Sequence, residues 1–150
     1  MILGNGSFEI WTNGVLQTQN GTYLGNIGQV GTTYSRIGWS PYSDPGCAGS
    51  VDEFRIYNGR LAPQEIQASD VLGPNQTLNT SSPTLQATAG AGTLALTWPL
   101  ANAGFSVQSS TSLAGGNWTT LTNVPTMLGN TSWQVTIPET GNAQFLRLWR

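Results

Sequence analysis

The chain has 150 residues with seven acidic and five basic side chains, a net charge of -2, and neither lysine nor histidine. Charged residues are 8% of it, against about 25% in a typical globular domain. With only scattered arginines, a phosphate-gripping surface has nothing to be built from, so nucleic acid is excluded as a partner. No apolar run approaches the roughly 18 residues of a membrane span, and a lone cysteine, Cys47, excludes an internal disulfide.

Low charge does not mean disorder here, because 38% of the residues are apolar and six are tryptophan, enough to fill packed cores. Nineteen glycines and eight prolines, with abundant Thr, Ser and Asn, point to short strands joined by turns. The length allows one ordinary domain or two small ones. Met1 to Gly4 is too short for a signal-peptide core, so any secretion signal is expected to have been removed or to belong to a longer parent chain. Asn5, Asn20, Asn75, Asn79, Asn117 and Asn130 each begin an Asn-x-Ser/Thr triplet. A chain this rich in Asn, Ser and Thr also makes such triplets by chance.

Residues 7–12 alternate Phe8 and Ile10 with Glu9 and Trp11. Asn13-Gly14 then separates them from Val15 to Thr18, a hairpin signal because a type I′ turn needs positive φ at both turn positions. Residues 33–39 read as a strand, residues 40–49 as a loop with Pro41, Asp44-Pro45-Gly46 and Cys47, and residues 50–57 as the clearest strand of this half. Residues 61–72 hold the single expected helix. Pro63 suits its first turn, Ile66 and Val71 are candidate core residues, and Gly73-Pro74 stops it. Residues 74–83 read as a linker.

Beyond Pro83 short strands recur: 85–88, 93–98, 105–109, 118–122, 133–137 and 145–149, with turn residues between them. That spacing indicates a sandwich or barrel. Phe105 and Val107 are expected inward, Ser106 and Gln108 outward. Trp98, Trp118 and Trp133 are expected in the core because they lie on alternating apolar faces.

Residues 49–68, GSVDEFRIYNGRLAPQEIQA, resemble the closing motif of the laminin-G-like, concanavalin-A-like jelly-roll family at Gly49, Asp52, Glu53, Arg55, Tyr57, Asn58, Leu61, Glu65 and Ile66. Residues 10–16 resemble that family's Asn-Gly hairpin, and residues 37–40 its Ile-Gly segment. The resemblance covers only the C-terminal half of the family's domain. Residues 83–150 resemble the short fibronectin-III-like or Ig-like modules of large secreted bacterial proteins, through Leu94-x-Leu-Thr-Trp-Pro99, Phe105-x-Val-Gln-Ser-Ser110, Trp118 and the closing Gln144 to Leu148. The fold expectation is all-β: a partial antiparallel jelly-roll sandwich over 1–73, a linker over 74–83, and a small second β-sandwich over 84–150. Both resemblances imply an extracellular or cell-surface, polysaccharide-rich setting.

Catalysis has little to work with. No His or Lys can serve as base, and Cys47 lacks a His partner. A glycosidase needs two carboxylates flanking the scissile bond, and Asp52 and Glu53, adjacent on an expected strand, point to opposite faces. Glycan binding needs aromatic faces with amides and hydroxyls, because a pyranose has an apolar face and a polar rim. Trp39, Tyr42, Trp11 and Tyr23 are the candidate platforms, with Asn13 and Arg36 as polar partners. Trp39 and Tyr42 straddle a loop, where binding residues concentrate, although each aromatic could instead fill a core. The laminin-G-like resemblance implies Ca2+ as a candidate cofactor, with Asp44 and Asp52 as candidate ligands. Calcium wants six to eight oxygens, and Asp52 could instead hydrogen-bond a neighbouring loop.

The leading expectation is an extracellular, non-catalytic binding or adhesion fragment with a glycan as ligand. Two alternatives stand beside it: a structural spacer or self-assembling surface piece that uses open sheet edges, and an accessory region of a larger secreted glycoside hydrolase.

Overall fold

A computed structural model describes residues 2–4, 7–21, 37–39, 42–140 and 143–150. The expected strand over 33–39 falls largely outside these residues. The described elements are β1 (Ile2–Gly4), β2 (Ser7–Thr12), β3 (Val15–Asn20), α1 (Pro63–Leu72), β4 (Gln86–Gly90), β5 (Thr93–Pro99), β6 (Ser106–Ser110), β7 (Thr119–Thr120), β8 (Thr126–Leu128), β9 (Ser132–Pro138) and β10 (Phe145–Trp149). The all-β expectation holds, with one short helix. The chain divides into two units, Met1–Leu61 and Ala62–Arg150.

In the first unit β1, β2 and β3 form an antiparallel sheet in sequence order. Asn13 (φ 49°) and Gly14 (φ 69°) make the β2–β3 turn, as the Asn-Gly signal predicts. Ile10 pairs with Thr18 while Trp11 pairs with Leu16, so a bulge falls at Gln17 and adds local twist. Among the described residues, 50–57, expected as a strand, join no ladder, and Val51, Phe54 and Ile56 are exposed. A strand is defined by the neighbour it pairs with, and apolar spacing alone supplies none.

The second unit is a two-sheet sandwich. One sheet has the order β4-β5-β9-β8 and the other β10-β6-β7. Leu96, Trp98, Trp133, Val135 and Ile137 from the first sheet and Val107 from the second form one buried cluster, which Leu146 and Leu148 of β10 also pack against. The register Leu94↔Ile137, Leu96↔Val135, Trp98↔Trp133 stacks apolar pairs on one face, so the period of two in both strands is spent on the same core.

The helix belongs to this second core, whereas the sequence places it at the end of the first module. Ala68 is fully buried in the cluster, with Val71 and Leu72 packed against it. The Ala62 N–H donates to a Glu65 carboxylate oxygen at 2.9 Å, half of a capping box. Glu65 in turn accepts from an Arg150 Nη at 2.9 Å. Gly104 permits this approach: a Cβ there would stand 2.6 Å from Glu65 Oε1 and 2.9 Å from Arg150 Nε.

The segment expected as a linker is likewise held within this unit. Buried Asn102 donates from Nδ2 to the Asn79 and Ser81 carbonyls at 3.0 and 2.9 Å, and the Asn79 N–H donates to the Ala101 carbonyl at 2.7 Å. Trp98 Nε1 donates to the Asn102 carbonyl at 3.2 Å and Trp133 Nε1 to the Leu100 carbonyl at 3.0 Å. Two core indoles thus reach the short 3-10 turn Leu100–Asn102, so their N–H groups are satisfied inside an apolar core.

Candidate functional site

In the first unit, β2 turns Glu9 and Trp11 to the covered face of the sheet, and Glu9 is only 3% exposed. A buried carboxylate must be paired, and this one accepts from Trp11 Nε1 at 2.9 Å and forms an ion pair with Arg60. Trp11 is therefore half-buried with its polar edge committed to Glu9. It serves the packing of the sheet more than an open platform.

Trp39 and Tyr42 differ from Trp11. They are 49% and 80% exposed, at the start of the loop that the Cys47 N–H closes by donating to the Gly38 carbonyl at 2.8 Å. Gly38 lies at φ 71°, a conformation that favours glycine. Asn13 is exposed at the hairpin tip, occupied with making the turn. Tyr23 and Arg36 lie outside the described residues. Asp44 and Asp52 are exposed, and no group of three or more metal-ligating side chains occurs among the described residues.

The second unit carries an arrangement that the sequence reading missed. Leu146 and Leu148 pack on the core, so alternation puts Arg147 and Trp149 on the opposite, outer face of β10. Val107 faces the core and Gln108 the same outer face. The ladder sets Arg147 opposite Gln108 and Gln108 opposite Thr120. The Arg147 guanidinium carbon lies 4.2 Å from the ring centre of Trp118 and 4.6 Å from that of Trp149, within cation–π range of both. Its Nε donates to Gln108 Oε1 at 2.9 Å, and Gln108 Nε2 donates to Thr120 Oγ1 at 3.1 Å.

Trp118 is therefore not a core residue, in contrast to the expectation; it is half-buried against Arg147. Trp98 and Trp133 are buried as expected. The available signal was the alternation Leu146, Arg147, Leu148, Trp149, which assigns Arg147 and Trp149 to one face. A second opening, a cleft of about 300 Å³, is lined by Leu94, Ile137, Glu139, Gln144 and Leu146.

Residues 1–67 match the family model for the concanavalin A-like lectin/glucanases superfamily, of the laminin G type. The matched stretch holds the Asn-Gly hairpin, the Trp39–Tyr42 loop and the segment 49–61, and it ends within α1. No curated protein and no solved structure matches the chain. The superfamily match supports a lectin-like reading of the first unit, whose exposed aromatics lie inside the matched stretch.

Proposed function

We propose that Met1–Leu61 is a non-catalytic saccharide-binding or adhesion module working outside the cell, with Trp39 and Tyr42 as its contact residues. The observation that carries this reading is their exposure within the superfamily-matched stretch. Exposed indole and phenol surface suits the apolar face of a pyranose. Glu9 is paired with Arg60 and Glu53 with Arg55, which supports a structural rather than catalytic role for these two carboxylates. The order β4-β5-β9-β8 over β10-β6-β7 supports an Ig-like or fibronectin-III-like reading of the second unit: it corresponds to strands A-B-E-D in one sheet and C and F in the other.

A glycan array followed by titration tests the binding role. A bound saccharide should lose at least about fivefold in affinity in the Trp39→Ala/Tyr42→Ala variant, the scale of one aromatic anchor. Unchanged affinity removes these residues from the site. A second reading, self-assembly, is favoured by the exposed Val51, Phe54 and Ile56. Light scattering separates the two, because a monomer at all concentrations is incompatible with assembly.

A further inference from the structure

Four of the five arginines are described, and three of those four are matched with a carboxylate: Arg55 with Glu53, Arg60 with Glu9 and Arg150 with Glu65. Among the described residues Arg147 alone has no carboxylate partner, yet it is the most elaborately positioned. Two indoles pack against it, Gln108 takes its Nε, and Thr120 takes the other end of Gln108. A long side chain held this way has already lost its rotamer freedom. Its terminal Nη groups keep the fork geometry that matches a carboxylate bidentately.

The surroundings specify more than charge. Trp149, beside the guanidinium, is 53% exposed, so an apolar plate adjoins a cationic fork. Gln108 is buried beneath this face, its amide committed to Arg147 and Thr120, and the exposed Thr120 continues the face with a hydroxyl. A ligand fitting this row has a flat apolar face, a hydroxyl rim and a carboxylate at one end, the chemistry of a uronic acid.

We propose that the outer face of the β10-β6-β7 sheet is an acidic-saccharide site, with Arg147 holding the sugar carboxylate and Trp149 stacking on the pyranose ring. This site lies in the second unit and does not depend on the Trp39–Tyr42 reading. The ligand's charge complements the one described arginine lacking an internal counter-ion, and binding supplies it.

The test titrates the full chain at low salt, by calorimetry, with a galacturonate oligomer, a neutral galactose oligomer of equal length, and a glutamate oligomer. The expected result is binding of the galacturonate oligomer about tenfold or more tighter than either competitor. Arg147→Gln should weaken it by about tenfold or more. Arg147→Lys, which keeps charge but loses the fork, should also weaken it. Trp149→Ala removes a half-exposed ring outside the core, so it leaves the fold intact and should cost at least about fivefold. The inference is overturned by no galacturonate binding, by equal binding of the neutral or glutamate oligomer, or by binding that Trp149→Ala leaves unchanged. Loss of binding in Trp39→Ala/Tyr42→Ala with Trp149→Ala unaffected also overturns it, while supporting the first-unit site.

Discussion

The two units spend similar residues in opposite ways. Every fully buried apolar side chain among the described residues belongs to Ala62–Arg150, where apolar pairs such as Leu96–Val135 and Trp98–Trp133 face a second sheet. Among the described residues of Met1–Leu61, Ile10, Val15, Leu16, Val51, Phe54 and Ile56 are exposed, and the buried side chain is a carboxylate, Glu9. Apolar content is therefore not what separates them. A core requires two faces brought together, and the described part of the first unit has one three-stranded sheet. Hydrophobic stabilisation scales with the apolar area removed from water, so the second unit should carry most of the measurable stability.

The largest expected effect probes that difference directly. Trp133→Ala deletes a core indole and its bond to the Leu100 carbonyl, and should cost about 3–5 kcal/mol in thermal or denaturant unfolding of the second unit. A loss under 1 kcal/mol would mean that the sandwich core is not where stability resides. Asn102→Ala removes both donors that hold residues 79 and 81 and should cost about 1–3 kcal/mol. Because this bond set lies wholly within the second unit, protection of residues 78–82 from proteolysis should fall with it.

Gly104→Ala should cost about 1 kcal/mol, because the ends of the Glu65 and Arg150 side chains must shift to admit the methyl group. Combining it with Arg150→Ala should recover part of that loss, because one of the two obstructing groups is then gone. The smallest expected effect lies in the first unit: Phe54→Ser should change stability by no more than about 0.5 kcal/mol, as at an exposed position. A loss of 2 kcal/mol there would show that Phe54, 67% exposed in the structure, is covered in solution.

Much of the second unit is legible in its sequence. Trp133, Val135 and Ile137 alternate with polar neighbours, and so do Leu94, Leu96 and Trp98, which fixes both strands and their inward faces. The Asn13-Gly14 turn and the Pro63–Leu72 helix are equally visible, because φ preference and capping are local. Three features escape local reading. The ownership of α1 depends on Ala68 joining the buried cluster of the second unit, a placement that no pattern within the helix encodes. Residues 50–57 carry strand spacing, but no described residue pairs with them. Trp118 looks like a core indole until Arg147, 29 positions away, is found against it.

The most direct test of the contrast between the units is hydrogen exchange of the intact chain, followed by mass spectrometry under native conditions. Amides of Leu94–Thr97 and Trp133–Ile137 should exchange slowest, near the rate set by global unfolding of their unit, while amides of Val51–Tyr57 should exchange orders of magnitude faster. Protection of Val51–Tyr57 equal to that of β5 and β9 would contradict the account, showing that the first unit closes a core of its own.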